Sequence, residues 1–305
     1  MFGQRSFRSI LVGLLAVPGL LLGTAPPAAA APAPSTAPVI ASNCSPQRLM
    51  RDHFPASPKI TNRFYPLVPG TQFFLDGSVI ADDGTAHPHR IATTVTDLTK
   101  MVDGVRALVM FDVDIQDGVV IESELFFVAQ RDDGSVWTLG EYPEEYEGGV
   151  LTGAPSTWIA GTDNARAGTA MLANPTVGTP TYLQGLSRKI QFKDCATVFQ
   201  TGEHVCVKTG CYDNVLETDE FAPFDPSGGH QRKFNAPGVG VIEVAAAGGV
   251  DPEALQLTKA AKLCPGAFAR VRQQVLDQDA RGYTVAAAIY GATTRAERTL
   301  TAQTC

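Results

Sequence analysis

The chain has 305 residues, six cysteines and a net charge of −7 at pH 7. This acidic balance argues against nucleic acid as a partner, because neutralising phosphates requires clustered lysine and arginine. It argues equally against anionic membrane surfaces. The length is typical of one large domain or of one domain with an appendage.

Residues 1–30 are predicted to be a secretory signal peptide. Arg5 and Arg8 precede an apolar run over residues 10–22, and small residues follow it. That run is too short to span a bilayer comfortably. Residues 31–43 form an Ala/Pro-rich segment without periodicity, which predicts a flexible leader. The mature protein is therefore expected to be soluble and secreted.

Residues 44–245 are predicted to form a β-rich domain. Short strand-like runs alternate with Asp-Gly turns, a pattern typical of an antiparallel meander rather than of βαβ units. The predicted fold class is therefore mainly β, an antiparallel meander that forms a barrel or a sandwich. The predicted strands are Thr71–Leu75, Arg90–Leu98, Val105–Ile115, Val119–Gln130, Ser135–Gly140, Tyr182–Phe192, Thr197–Gln200, His204–Lys208, Asn214–Thr218, Gln231–Asn235 and Val239–Val244.

The hairpin over residues 105–130 has a pattern that assigns its two faces. All its odd-numbered strand residues except Ser123 are apolar. The odd residues of both strands share one face if the turn holds an odd number of residues, as a three-residue turn at residues 116–118 would. The even-numbered face then carries carboxylates near the turn and apolar side chains at its far end.

The carboxylates on this even face are Asp112, Asp114, Glu122 and Glu124, with Asp112 directly opposite Glu122. A face that is acidic at one end and apolar at the other is typical of a barrel mouth or a cleft floor. Facing like charges need a counter-cation, a shared proton or solvent. We therefore take Asp112, Glu122 and Glu124 as catalytic candidates and Asp114 as a binding candidate. An exposed edge of the sheet is the alternative interpretation.

The stretch "EYPEEYEGG" at residues 141–149 is predicted to be a loop, because Pro143 closely follows a predicted strand. Crowded glutamates raise one another's pKa, so one of them would serve as a general acid or base. The same carboxylates suit calcium, although the alternating Asp/Asn pattern of a calcium loop is absent. A solvated surface loop is the third interpretation. The binding candidates here are Glu141, Tyr142, Glu145 and Tyr146.

Two tryptophans flank this acidic stretch. Exposed aromatic rings beside carboxylates are typical of carbohydrate sites, where the ring covers one face of a sugar. Trp137 lies at the centre of a predicted strand, which favours a core position. Trp158 is taken as a binding candidate for a small molecule or a carbohydrate.

His87 and His89, in "HPH", place two imidazoles on one side of an extended segment. This spacing suits zinc or copper, and a third ligand would have to come from elsewhere, for example from His204 or His230. A His-rich turn is the other interpretation. Zinc here and calcium at the acidic stretch are therefore the cofactors to test.

Six cysteines in an exported chain favour disulfides over metal thiolates. Cys206 and Cys211 flank the turn "VKTG" and are predicted to form a cross-strand disulfide, for which Cys195 competes across the preceding hairpin. If the Cys206–Cys211 bond forms, three pairings stay open among the remaining cysteines. These are Cys44, Cys195, Cys264 and Cys305.

Residues 246–305 are predicted to form a helical hairpin and a C-terminal tail that pack on the β domain. The first helix has Asp251 as its N-cap, in "DPEALQLTKAAKL". The second helix runs from Pro265 to about Ala280, and Gly282 ends it. The stretch "YTVAAAIYG" then predicts a final strand.

Four stretches, "FYPLVPGTQFF", "FFVAQRDDGSVWTLGE", "YDNVLET" and "KFNAPGVGVIEV", resemble a group of exported bacterial β-rich proteins of uncharacterised function. The resemblance covers about residues 62–244 and implies an exported β-rich domain without implying an activity. Members of the group carry an aspartate at the position of Phe126 and an acidic residue at the position of Arg131. An acidic site shared by the group would therefore be remodelled here.

Three functions fit these observations. The first is a secreted module that binds a small molecule or glycan in an acidic, aromatic-rimmed cleft. The second is a hydrolase, lyase or cyclase that uses carboxylate acid/base chemistry, and the third is a surface interaction protein without a pocket. The sequence contains no nucleotide-binding loop, nucleophilic serine elbow or zinc-protease helix motif. The absence of a catalytic signature favours the binding module.

Overall fold

The computed structural model describes residues 43–81 and 83–305. The predicted signal peptide and residues 31–42 of the predicted leader lie outside the described residues. Within the described part of the chain, no helix is both long enough and apolar enough to cross a membrane.

The described residues form one 15-stranded antiparallel sheet and a helical C-terminal segment. The strands are β1 (Thr71–Ile80), β2 (Ala86–Val102), β3 (Val105–Gln116), β4 (Val119–Gln130), β5 (Val136–Glu147), β6 (Val150–Gly153), β7 (Trp158–Ile159), β8 (Arg166–Met171), β9 (Tyr182–Ser187), β10 (Phe192–Val207), β11 (Gly210–Phe221), β12 (His230–Ala236), β13 (Gly240–Ala247), β14 (Glu253–Lys262) and β15 (Glu297–Arg298). The α-helices are α1 (Pro265–Val285) and α2 (Ala287–Tyr290).

Strand β1 closes this sheet, because it pairs with β2 along one edge and with β14 along the other. The closed barrel has 12 strands in the order β1-β14-β13-β12-β11-β10-β9-β8-β5-β4-β3-β2, and β6, β7 and β15 attach outside that circuit. Closure removes the edges that an open sheet leaves unpaired. The predicted mainly β class is confirmed, and of the two predicted architectures, barrel and sandwich, the sheet forms the barrel with a C-terminal helix.

Side chains along each wall strand alternate between the lumen and the outside of the barrel. On the outside, Val109 and Phe127 belong to one buried cluster with Val275 of α1 and Tyr290 of α2. Trp137 lies in the same cluster, which confirms its predicted core position. The helices thus cover the odd-numbered apolar face of β3 and β4, and the even-numbered face is left to the lumen.

The β3–β4 hairpin reaches the predicted faces through a different register. Its turn has two residues, 117 and 118, both with positive φ, and Ile121 is an extra residue that bulges from β4. Asp112 therefore pairs with Glu124 rather than with Glu122, so the predicted three-residue turn and the predicted pair are wrong. The bulge supplies the odd residue that the faces require, and the predicted carboxylates still share one side.

The plug segment, which we define as residues 60–67, fills the apolar end of the lumen. Ile60 bridges to Leu67, and the segment packs in one apolar cluster with Leu108 and Phe126 of the wall. The charged residues of the lumen therefore lie toward its other end.

The first predicted C-terminal helix is wrong, because residues 253–262 form strand β14. Leu255 and Leu257 are buried and alternate with more exposed neighbours, which is the period of a strand. Pairing with both β13 and β1 outweighs the local helix signal of the Asp251 cap. The predicted domain boundary between residues 245 and 246 falls inside β13.

Helix α1 runs past Gly282, its predicted end, to Val285. The predicted strand at residues 283–291 lies in α1, α2 and the turn after them instead. Gly282 is buried against the ring of Tyr290, where a Cβ atom would lie 2.5 Å from Cδ1. The glycine therefore serves close packing rather than helix termination.

Three disulfide bonds join the cysteines in pairs. The bonds are Cys44–Cys195, Cys206–Cys211 and Cys264–Cys305. The predicted Cys206–Cys211 bond is confirmed, and the pairing that the sequence left open is resolved. Disulfides persist in oxidising compartments, so the protein is an exported one, as predicted.

Gly282→Ala is expected to destabilise the protein by about 1–3 kcal/mol, because the added methyl group overpacks the contact with Tyr290. Gly266→Ala, in the first turn of the same helix, is the matched control. The nearest atom to its Cβ is on Arg270 at 3.9 Å, so we expect a neutral or slightly stabilising effect. Urea unfolding followed by circular dichroism compares the two variants, and equal midpoints would contradict the packing role of Gly282.

Candidate functional site in the barrel lumen

The predicted carboxylates of β3 and β4 face the lumen. Asp112 and Glu124 pair with each other and are buried, with exposures of 3% and 4%. Asp114 and Glu122 form the next pair toward the charged end and are half-buried. In the other direction the same face continues into Met110, which lines a cavity. The acidic-to-apolar face predicted from the sequence is thus an inner wall of the barrel.

Strand β5 adds two carboxylates to this wall. Glu141 pairs with Phe126, and Glu145 pairs with Glu122, so both glutamates share the inward face. Residues 141–149, predicted to be a loop, are therefore mostly strand, and the chain turns only at their end. The loop prediction is wrong, but two of its four binding candidates do join the predicted carboxylates.

Pro143 lies inside β5 without ending it. Proline has no N–H to donate, so a strand tolerates it where that side of the backbone has no partner. Within the described residues, β7 pairs with residues 140–141 of β5 and β6 pairs with residues 145–147, so Pro143 lies between the two partners. The strand continues through the proline because its other edge pairs with β4 at Glu124.

The other two candidates of this stretch, Tyr142 and Tyr146, point to the outside of the wall. Their hydroxyl groups donate to the two carboxylate oxygens of Glu144 at 2.7 and 2.8 Å. Arg281 of α1 binds the same carboxylate through two hydrogen bonds of 3.0 and 2.7 Å. Burial, together with Glu144, raises the pKa of Tyr146 to about 12. These tyrosines therefore bind the glutamate that anchors helix α1. They lie on the opposite face of the wall from Glu141 and Glu145.

We call the inward-facing carboxylates of β3, β4 and β5 the carboxylate layer. Trp158 lies against this layer but is buried, with an exposure of 1%. It pairs with Glu141 and donates from Nε1 to the Oε2 atom of that glutamate at 2.9 Å. Its ring stacks on Phe192 with 5.2 Å between centroids. Trp158 therefore positions Glu141 and offers no free ring face to a sugar.

The opposite wall contributes residues that the sequence did not single out. Glu220 of β11 accepts a hydrogen bond from Gln184 Nε2 at 3.1 Å, and its Oε2 lies 2.6 Å from Lys233 Nζ. Glu217 and Asp219 of the same strand are also acidic but lie on the outer face of β11. Because acidic residues occupy both faces of this strand, no alternation in the sequence marks Glu220 as inward.

Tyr65 of the plug segment reaches the carboxylate layer from the apolar end. Burial of its hydroxyl group raises its pKa well above the usual range, and nearby negative charges raise it further. Those charges belong to Asp112, Glu220, Glu141 and Glu124. Tyr65 therefore keeps its proton close to these carboxylates.

A cavity of about 70 Å³ lies beside this layer. Apolar Met110 and Phe126 line it together with Tyr65, Thr93 and Gln184. Thr93 Oγ1 and Gln184 Oε1 are buried and have no hydrogen-bond partner among residues 43–81 and 83–305. Native proteins rarely leave buried polar atoms unsatisfied, so these two atoms have hydrogen-bonding capacity that the described residues do not use.

His89 lies at the charged end of the lumen. Its Nδ1 is 2.6 Å from Glu253 Oε1, and its Nε2 is 3.8 Å from Asp114 Oδ2. Gln231 donates to the other oxygen of Glu253 at 2.9 Å. Burial opposes the charge on the ring, but the carboxylates of Asp114 and Glu253 more than offset it and raise the pKa of His89 to about 9. His89 is therefore a cation among carboxylates at neutral pH.

His87 is on the same strand and pairs with Asp117 at 2.8 Å. Among the described residues, the group of three candidate metal ligands close enough to bind one ion is His204, Cys206 and Cys211. Both of its cysteines are engaged in the Cys206–Cys211 bond. A metal at His87 and His89 stays a prediction.

No protein-family model and no curated protein matches the chain. Solved structures similar to it include a Bacteroides fragilis protein described as exported and as having a YmcC-like fold. It is 13% identical, the match covers 66% of this chain and 100% of that one, and the TM-score is 0.39. A Parabacteroides distasonis protein described as a lipoprotein is 12% identical, with 65% and 98% of the chains covered and a TM-score of 0.37.

His89 should make the stability of the protein depend on pH. Its pKa of about 9 lies above the ordinary 6.5, so the charged ring stabilises the fold fully below pH 6.5, and this contribution is lost as the pH rises through about 9. We expect His89→Gln to lower the free energy of unfolding by up to about 3 kcal/mol near pH 6 and by little near pH 10.

Urea unfolding of the protein and of His89→Gln at a series of pH values measures this difference. His204→Gln is the control, because His204 is exposed and pairs with Asp213 on the surface, so its effect should be small throughout. A His89→Gln effect that does not change with pH would contradict the charged pair at the lumen.

Proposed function

We propose that this protein is a secreted binding module that takes the amine group of a small cationic molecule into the carboxylate-lined lumen of its barrel. The observation that carries the proposal is the charge of the inward face. This face gathers eight carboxylates, and the basic side chains that pair with them include Lys233 and His89. The carboxylates are Asp112, Asp114, Glu122, Glu124, Glu141, Glu145, Glu220 and Glu253.

Carboxylates packed at this density raise the free energy of the folded state. Asp112, Glu124 and Glu141 are almost completely buried, and burying a charge is costly even when hydrogen bonds reach it. Like charges on adjacent strands add repulsion. A bound ammonium group lowers this repulsion and gains charge-assisted hydrogen bonds, which are the stronger kind. Stability given up in this way is typical of a functional site.

An amine fits these residues better than the carbohydrate that the sequence also suggested. A sugar site needs an aromatic ring with a free face. Trp158 and Tyr142 are buried, with exposures of 1% and 0%. The aromatic rim of the predicted cleft is therefore missing from these positions, whereas the acidic lining is present.

The size of the cavity supports a small headgroup rather than a large ligand. At about 70 Å³, the cavity is far below the roughly 300–1,000 Å³ of pockets that enclose drug-sized molecules. Thr93 Oγ1 and Gln184 Oε1 are acceptors that an ammonium group would satisfy. The remainder of the ligand would extend toward the charged end, past Asp114 and Glu122.

A thermal-unfolding screen of the mature protein tests the proposal with putrescine, a short diamine, and with its uncharged diol counterpart. We expect putrescine to raise the unfolding midpoint by mass action and the diol to leave it unchanged. Added salt should reduce the putrescine effect, because part of the attraction is electrostatic. Calcium and zinc in the same screen test the predicted metals.

Glu122→Gln should weaken putrescine binding about tenfold, because it removes one charge-assisted hydrogen bond. Glu147→Gln is the matched control, since Glu147 is exposed at the end of β5 and the substitution changes the net charge equally. Isothermal titration gives the affinities. Equal weakening in both variants, or no response of the native protein to putrescine, would rule out the lumen as a cation site.

Acid/base catalysis is a second candidate, favoured by the placement of Tyr65. A tyrosine that keeps its proton beside several carboxylates combines a proton donor with potential bases such as Glu124. Glu124→Gln distinguishes the two functions. A ligand that still binds this variant but is no longer converted by it would show catalysis.

A further inference from the structure

Outside the lumen, Lys100 of β2 and Asp279 of α1 form a buried ion pair between the barrel wall and the helix. Lys100 has an exposure of 0% and Asp279 of 2%. The Nζ atom of Lys100 directly contacts Oδ1 of Asp279. The pair belongs to the helix-covered outer face, so it takes no part in the candidate site.

Aromatic rings enclose this pair. The Lys100 Nζ atom lies 3.6 Å from the ring centroid of Tyr290, 5.0 Å from that of Tyr283 and 5.4 Å from that of Phe127. These rings exclude water from the amine. An amine and a carboxyl group in contact in a dry site meet the first condition for condensation, because water would otherwise hydrate the charged forms and favour the free acid.

The surroundings make it easier to reach the uncharged amine that condensation requires. Burial lowers the pKa of Lys100 to about 8, and the attraction of Asp279 only partly opposes this. In a poorly solvated pair, moving one proton from the ammonium to the carboxylate removes two buried charges at once. The products are a free amine, which is the nucleophile, and a carboxylic acid, which is the electrophile.

Two hydrogen-bond donors are directed at the Asp279 carboxyl group. The Tyr290 hydroxyl donates to Oδ1 at 2.8 Å, and the Ala296 backbone N–H donates to Oδ2 at 3.1 Å. Both bonds withdraw electron density from Cγ. When the amine adds to Cγ, the Ala296 N–H stabilises the negative charge that develops on Oδ2, as an oxyanion hole does. The Tyr290 hydroxyl can pass a proton to the oxygen that leaves.

We propose that Lys100 and Asp279 condense spontaneously in the folded protein to form an isopeptide bond between Nζ and Cγ. The Nζ–Cγ bond forms and the Cγ–Oδ1 bond breaks. Oδ1 leaves as water, carrying the acid proton and one proton from the amine, and Tyr290 regains the proton it donates. No oxidant, cofactor or second protein is required. The bond ties β2 to α1 across a sequence separation of 179 residues.

Mass spectrometry of the secreted, reduced and denatured protein tests the proposal without any substitution. We expect a mass lower by one water molecule than that of the same chain with a free Lys100 side chain. Trypsin should fail to cleave after the acylated lysine. The digest should therefore contain residues 91–106 as one peptide joined to residues 273–281. An unshifted mass, with residues 91–100 recovered as a separate linear peptide, would overturn the proposal.

Variants test the roles of the individual groups by the same readout. Asp279→Asn should reach the same final mass as the native protein, because an asparagine amide condenses with loss of ammonia instead of water. Lys100→Arg and Asp279→Ala should each retain the full mass of the linear chain. Tyr290→Phe preserves the ring and removes the proton donor, so we expect a mixture of linked and unlinked chains. Complete linkage in Tyr290→Phe would overturn the role assigned to that hydroxyl.

Discussion

Closure of the sheet through β1 is the constraint on which the rest of the structure depends. Because β1 pairs with β2 on one side and β14 on the other, each strand of the barrel has one face in a shared interior and one face outside. Carboxylates from separate hairpins are thereby brought together. Asp112 and Glu220, which lie far apart in the sequence, both act on the hydroxyl group of Tyr65.

The outside of the same wall is used to hold a helix. Strand β5 shows most clearly how its two faces differ in role. Glu141 faces the lumen, whereas Glu144, three residues further along, binds Arg281 of α1. The helix is further fixed by the Lys100–Asp279 pair. Charged contacts on the outside thus stabilise the wall, and charged residues inside it provide the candidate site.

Alternation along β3 and β4 was enough to place their carboxylates on one face, because a period of two is a local property of a strand. It could not locate the bulge at Ile121, which shifts the register between β3 and β4 but leaves each side chain on its predicted face. Residues 253–262 follow a helix-cap signal at Asp251 but have the period of a strand, and only their pairing with β13 and β1 decides between the two structures. Pro143 likewise suggests a turn until the partners of β5 are known.

The sequence by itself determined that the protein is exported, disulfide-bonded and mainly β, because composition, cysteine content and alternation are properties of short stretches. It also determined one acidic face of the candidate site. Tertiary structure alone decided that this face lies inside a closed barrel and that Tyr65, Glu220 and Lys233 complete its lining. It likewise brought Lys100 to Asp279. These contacts join residues far apart in the chain, and no local pattern encodes such distances.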